Sequence, residues 1–390
     1  MSYKINPHLQ FLIYCSKTKL SQKDILFIID YLINNKSSFY QKIIQRSNKH
    51  GVLPTVNKTI KSLAYSNKKL LDFSLLLKIN YLNITKRNML MSAELINITK
   101  LLNQHKIETI AFKGPALSQM AYGDITLRQY GDIDILIKKK DRFNMILILE
   151  KEGYIPEIKL QDSSKEAFFN AVNVIAFYKG SMGIRIEIHW ELLSRNYAIV
   201  WNEKILWENS KSIQINNNKI QVLTIEHHLL YICVHSAKHL YERIEWICDI
   251  DRLIQANLNI NWQYILKEAK RMGITRMLYL GLSLSKILFD LKIPKNIQKS
   301  INKDKEIPKL INKIIKINFS DTIHEEKSFN TLVLLLNMRE NYTDKLKLLY
   351  KGILTPKFDD FLFYQLPKYM VFLYPILRLI RLIKKYSNSN

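Results

Sequence analysis

Asp132 and Asp134 stand two residues apart in "QYGDIDILIKKKD", inside a run of isoleucine and leucine that otherwise reads as a buried strand. Side chains alternate along a strand, so these carboxylates share one face while Ile133 and Ile135 share the other. Neighbouring carboxylates repel unless they share a proton or hold a cation. A divalent metal resolves the conflict, since Mg2+ favours hard oxygen ligands about 2.0–2.1 Å away. Downstream, "GIRIEIHWEL" reads as a second strand, with Arg185, Glu187 and His189 on one face and Ile186, Ile188 and Trp190 on the other. Glu187 is then a third carboxylate in mid-strand. Upstream, "IETIAF" ends at Lys113-Gly114-Pro115, where a glycine and free backbone N–H groups open a helix. That geometry suits a phosphate. Three carboxylates and a glycine-initiated helix are what two-metal phosphoryl chemistry requires. Taken alone, Asp-x-Asp also fits a strand end with solvated acids.

Other residue types fit more than one role. Lys113 reads either as a compact cation beside a triphosphate or as a strand-end lysine facing water. Arg128, four residues before Asp132, can contact phosphate or pair with that aspartate. His189 follows Glu187 on the same face and can hydrogen-bond a metal-site carboxylate, or simply pack beside Trp190. His235 and His239 have the i, i+4 spacing of zinc ligands, but with no third ligand nearby they read as core or pocket-wall groups. Asp249 and Asp251 lie on an expected helix, where i, i+2 residues do not share a face.

The elements that must position these residues follow from periodicity. Residues 1–105 read as helical, with Ser21 as N-cap of "SQKDILFIIDYLINN". A leucine-rich pattern without proline or glycine then runs into residue 107 as one long helix or two in series. From there the chain reads as strand, short helix "PALSQMAYG", strand "DIDILI", and a helix "KDRFNMILILEKEGY" closing at Gly153. A hairpin across "KGSMG" follows, then a shorter strand pair around the asparagines of "KSIQINNNKIQVLT". Helix resumes from Thr224. The expected organisation is α+β: a small mixed-sheet core at 91–223, between helical regions 1–90 and 224–390.

Lys+Arg 59 against Asp+Glu 34 leaves a formal charge of +25, which favours polyanionic partners. The excess is mostly lysine dispersed among isoleucine and asparagine, so charge alone does not single out nucleic acid. Cys15, Cys233 and Cys248 are odd in number and far apart, with neither zinc nor disulfide spacing. No run reaches the roughly 18 to 20 apolar residues of a spanning helix, and the opening "MSYKINPHLQFLIYC" lacks a signal-peptide core. A cytoplasmic location is the expectation. The apolar, aromatic and basic tail "FLFYQLPKYMVFLYPILRLIRLIKKY" reads as docking on the protein's own helical domain, with peripheral membrane contact as the alternative.

The order Lys-Gly, "LRQYGDIDILI", "IEIHW" resembles the nucleotidyltransferase-fold proteins related to polymerase beta. It is most similar to a large, mostly uncharacterised bacterial group with the pattern Lys-Gly, Asp-Ile-Asp, then Asp/Glu-x-His-Trp. "HHLLYICVHSAKHLYERIEWICDIDRLI" is similar to that group's His-rich helix and Trp-x-x-Asp, and "LTPKFDDFLFYQLPKYMVFLYPILRLIR" to its tail. The resemblance spans about residues 90–255 and 353–383. It implies a Mg2+- or Mn2+-dependent nucleotidyltransferase, moving a nucleoside monophosphate from an NTP to an unidentified acceptor. Asp132, Asp134 and Glu187 would be metal ligands and catalytic groups; Lys113, Gly114 and Arg128 would cradle the phosphates. Asp249 would cap or salt-bridge the site wall. In the broader superfamily the first motif is Gly-Ser; Lys-Gly here departs from it. That departure favours the alternative of a non-catalytic nucleotide- or RNA-binding protein on a degenerate fold.

Overall fold

The computed structural model describes residues 3–35, 39–158, 162–180, 183–257, 259–320, 327–363 and 366–387. Helices Pro7–Ser16, Gln22–Ile33, Tyr40–Lys49 and Leu53–Ala64 form the N-terminal part. Ser21 caps the second in a reciprocal capping box with Asp24, as its sequence predicts. The leucine-rich stretch is one continuous helix, Leu71–Gln104, because no proline or glycine interrupts its hydrogen-bond ladder.

Seven strands follow: β1 (Thr109–Ala111), β2 (Asp132–Ile137), β3 (Ile155–Pro156), β4 (Val174–Lys179), β5 (Ile184–His189), β6 (Lys211–Ile215) and β7 (Asn218–Val222). They form one mixed sheet in the order β3-β4-β5-β2-β1-β7-β6. β2 runs parallel to β5 and antiparallel to β1, and β4 pairs antiparallel with β5. The β6–β7 hairpin turns through Asn216 and Asn217, both at positive φ (46° and 61°), a conformation asparagine tolerates better than most residues. It joins the sheet through a parallel Ala111–Val222 pairing. Periodicity did not anticipate β3, nor the helices Asp162–Ala171 and Glu203–Glu208. All three are too short, or too polar, to stand out by pattern.

The sheet has two unlike faces. Ile133, Ile135, Ile186, Ile188 and Trp190 are buried in a core shared with Met91, Leu95 and Ile98 of the long helix and with Phe168 and Phe169. The other face carries the polar residues of β2 and β5 towards helix Ile225–Lys238. There Phe112 meets Tyr231 edge-on at 5.1 Å, and the Phe112 carbonyl lies 2.9 Å from His228 Nε2. Helices Ile225–Lys238, Ile244–Gln255 and Thr275–Phe289 pack together in a second core that includes N-terminal residues such as Phe11 and Val56. The tail packs on helix Tyr342–Leu354 and also beneath the sheet, with Phe361 at 5.4 Å from Phe168. Its docking surface is therefore wider than the helical domain alone. Among the described residues no helix is long and apolar enough to cross a membrane.

Candidate active site

Parallel pairing of β2 with β5 sets Asp132 opposite Arg185, Asp134 opposite Glu187 and Leu136 opposite His189. All six share a face, so alternation along two strands gathers the carboxylates. Asp134 is buried and takes two basic neighbours. Lys113 Nζ donates to Oδ1 at 3.0 Å, and His189 Nε2 lies 3.3 Å from the same oxygen and 3.2 Å from Glu187 Oε2. Arg185 Nη1 contacts Glu187 Oε1 and lies 3.9 Å from Asp132 Oδ2. Asp132, at the start of β2, stays partly exposed at the mouth.

These contacts divide the titration behaviour. Repulsion from Asp134, then burial, pushes the Asp132 carboxyl up to about 6. Burial opposes ionisation of Asp134, but Lys113 and His189 outweigh it and hold its carboxyl below the ordinary range. Burial likewise opposes the Lys113 charge, which the three carboxylates nevertheless raise well above 10.5. Burial pulls His189 down, but the adjoining carboxylates of Asp134 and Glu187 carry it above 6.5.

Ligand atoms of Asp134, Glu187 and His189 lie within 4.8 Å of one another, close enough to hold one metal ion. The buried Asp134 Oδ2 has no hydrogen-bond partner, nor does either His189 nitrogen in good geometry. An orphaned buried carboxylate oxygen of this kind fits a cation. The expected trio was Asp132, Asp134 and Glu187; the closest grouping exchanges Asp132 for His189, which was expected only to support a carboxylate.

Gly114 opens helix Gly114–Tyr122 at φ +48°, and a Cβ there would come within 2.8 Å of the Asp132 carbonyl oxygen. Only glycine lets this helix start touch the first residue of β2. A cavity of about 390 Å3 lies beside it, lined by Lys113, Gly114, Arg128 and Asp132 together with Arg87, Arg243, His235, His239 and Trp246. Arg243 lies over the Trp246 ring at 5.8 Å, and both histidines meet Trp246 within 5.4 Å. Burial, then Lys238, brings His239 down to about 4. His235 and His239 are thus pocket-wall groups, and no described third ligand joins them.

Arg128 does not pair with Asp132. Its guanidinium is buried and held by Asp249, Nε at 2.9 Å from Oδ1 and Nη2 at 3.0 Å from Oδ2, while Glu245 Oε1 lies 2.9 Å from Nη2. Tyr122 donates to Asp249 Oδ1 at 2.8 Å. A buried guanidinium requires a counter-charge, and the bidentate aspartate on helix Ile244–Gln255 supplies it. Asp251 turns away and accepts from Gln255 at 2.8 Å. The N-terminal helices reach the same wall: Glu245 N–H donates to the His50 carbonyl at 3.1 Å, and a Cβ on Gly51 would strike Glu245.

Sequence reading missed Arg87, Arg243, Trp246 and Lys238 as site residues. Lys238 lies over the Tyr197 ring at 5.4 Å, and burial, then repulsion from Lys113, lowers it to about 8. Arg87 donates to the Gly131 carbonyl at 3.1 Å. All four sit on helices or their ends far from the carboxylates in sequence. The signal for Lys238, Arg243 and Trp246 was the stretch "HHLLYICVHSAKHLYERIEWICDIDRLI" that holds them.

A family model described as uncharacterised nucleotidyltransferase matches residues 38–290. The match begins well upstream of the region the motifs suggested, taking in helices of the N-terminal part, and ends before the tail. Among solved structures, an antigenic nucleotidyltransferase-like protein from Paracoccidioides brasiliensis is similar at 14% identity over 52% of this chain and 93% of that one, with a TM-score of 0.33. No curated protein matches the chain.

Proposed function

We propose, because the chain belongs to the uncharacterised nucleotidyltransferase family, that it transfers a nucleoside monophosphate from an NTP to an acceptor nucleophile with the help of Mg2+ or Mn2+. The observation that carries this reading is the buried, partnerless Asp134 Oδ2 among the ligand atoms of Glu187 and His189. Asp132, Asp134 and Glu187, with His189 at hand, would hold the metal, which when bound supplies charge to the phosphoryl oxygens.

The chain's own groups do the rest. The cavity beside Gly114 takes the nucleotide, its helix N-terminus and Lys113 facing the phosphates. Arg87 and Arg243 add positive charge there, while Trp246 and the two neutral imidazoles offer flat faces to a base. Arg128 acts indirectly, tying the loop before β2 to helix Ile244–Gln255 through Asp249. Glu187 accepts the acceptor's proton. Residues 91–223 carry the chemistry in this reading, and the helical regions 1–90 and 224–390 wall it.

One observation favours a second reading, a non-catalytic nucleotide- or RNA-binding protein. Lys113 and His189 already meet one oxygen of Asp134 from within, which lessens the need for a metal there. One experiment separates the two. Each labelled NTP is incubated with Mg2+ or Mn2+ and a cell extract, using the native chain and Asp132→Asn. Metal-dependent label transfer that the variant loses supports the transferase. Transfer undiminished in the variant sinks the site assignment. Salt-sensitive RNA binding without metal-dependent turnover selects the second reading.

A further inference from the structure

We propose that the C-terminal helices form a face that docks on an anionic lipid bilayer, a property independent of the transferase reading. Helix Tyr342–Leu354 exposes Tyr342, Leu346, Tyr350 and Ile353, spaced along one side. The neighbouring segment, a 3-10 turn Lys368–Leu373 running into helix Tyr374–Ser387, exposes Phe372, Ile376 and Ile380. The two are locked together. Arg378 donates from Nε to the Ile353 carbonyl at 2.8 Å and from Nη2 to the Gly352 carbonyl at 2.9 Å, while its Nη1 lies 3.2 Å from Asp360 Oδ2. The stripes therefore stand on one rigid pair of helices rather than on independent strands of tail. Scattered exposed apolar residues are ordinary; here Tyr350 of one stripe and Phe372 of the other line one groove, which joins the stripes at that point.

An open groove of about 670 Å3 lies beside the stripes, between helix Asp162–Ala171 and the tail, walled by Tyr350, Leu354, Phe361, Val371, Phe372 and Pro375. Tyr350 and Phe372 are 68% and 70% exposed, so the groove is edged by aromatic rings facing water. Among the described residues the charged groups on its wall are Arg195, which also holds Glu191, and Lys351; no carboxylate lines it. An apolar floor with Lys351 at its rim is complementary to a hydrocarbon chain carrying an anionic headgroup. Tyrosine, phenylalanine and lysine together are also the residue types that settle at a bilayer interface.

A second copy of the chain fits this face less well. Helix Tyr342–Leu354 carries Lys345, Lys347 and Lys351, and its one acid, Asp344, is committed to Asn341 at 3.0 Å and faces Arg339 at 3.7 Å. Asp359 and Asp360 are paired with Arg381. Two such faces would bring lysine against lysine, whereas an anionic leaflet answers the same charges and the chain's +25 excess. No described helix is long and apolar enough to cross the bilayer, so the face lies on it.

The test uses the full chain with vesicles of phosphatidylcholine alone or mixed with phosphatidylglycerol, read by flotation. The expected result is binding to the anionic vesicles that weakens as salt rises. It falls at least about tenfold in Phe372→Ser/Ile376→Ser and in Tyr350→Ser, and it falls in Lys351→Gln for anionic vesicles only. These side chains are exposed or at a rim, so circular dichroism and thermal midpoints stay as in the native chain. Absence of vesicle binding overturns the proposal, and so does equal binding by the Phe372→Ser/Ile376→Ser and Tyr350→Ser variants. Self-association that these variants abolish, without vesicle binding, gives the face to a second copy and overturns it too.

Discussion

Two buried ionic clusters lie within one domain's reach of each other and use the same ingredients to opposite ends. Around Arg128, the guanidinium is met by both oxygens of Asp249, by Glu245 and, through Asp249, by the Tyr122 hydroxyl. Around Asp134, Lys113 and His189 meet only one carboxylate oxygen, the other has no partner, and Asp132 is left at the mouth with its carboxyl pushed up to about 6. The Arg128–Asp249 pair is closed by geometry, a planar fork and a carboxylate satisfying each other, while Glu245 Oε2 at its edge has no hydrogen bond. The second holds three acids on adjacent strands, and Lys113, Arg185 and His189 meet them without reaching Asp134 Oδ2. Saturated charge holds structure together, and unsaturated charge leaves room for a ligand.

Breaking each cluster tests the contrast. Asp132→Asn at the open cluster should lower metal-dependent NTP turnover at least about a thousandfold, about 4 kcal/mol of barrier, while the urea midpoint stays put or rises. Asp249→Ala at the closed cluster should do the reverse, costing about 3–5 kcal/mol of stability because Arg128 is left buried without its partner. Urea unfolding measures it, and Arg128→Met with Asp249→Leu should recover much of the loss. If Asp249→Ala instead kept its stability and lost turnover, the closed cluster would belong to the chemistry.

Smaller effects sharpen the boundary between the two. Gly114→Ala forces a Cβ to 2.8 Å from the Asp132 carbonyl oxygen at positive φ and should cost about 2 kcal/mol. Nucleotide affinity, by calorimetry, should fall with it, since the helix start must move away from β2. The smallest expected effect is in pH. The folded Asp132 value of about 6 lies above its ordinary 3.8, so ionising it opposes folding. The metal-free protein should lose stability as pH rises from 3.8 through about 6. The loss should be about 1 kcal/mol after discounting for screening at a one-third exposed carboxylate. Asp132→Asn should flatten that slope, and Mg2+ should reverse it in the native chain. Urea midpoints across the range, with and without Mg2+, decide the matter.

Much of the sheet was legible because alternation is a local property. "DIDILI" and "IRIEIH" named their strands and sorted carboxylates from isoleucines before any pairing was known. The Asn216–Asn217 hairpin and the Ser21 cap were legible for the same reason. Arg128 was not: Asp124 and Asp132 each lie four residues from it in sequence, and its partner Asp249 is 121 residues away. Proximity in sequence suggested Asp132, and packing of helix Ile244–Gln255 against helix Gly114–Tyr122 chose otherwise. Likewise Lys113 had two readings until the sheet placed Asp134 beneath it, and His189 became part of the metal-sized cluster only once β5 lay parallel to β2. The tail's composition was visible, but which of its aromatics are buried, as Phe361 and Tyr374 are, depends on the helix it meets.

By itself the sequence determined which residues share a face, where helices begin, and that three acids lie where apolar residues should. Those follow from backbone periodicity and local hydrogen bonding, which act over a few residues. The tertiary structure alone decided which charges cancel. It closed Arg128 on Asp249 and left Asp134 with a free oxygen, because electrostatic satisfaction depends on distance in space and on exclusion of water, and neither is written in the spacing of residues along the chain.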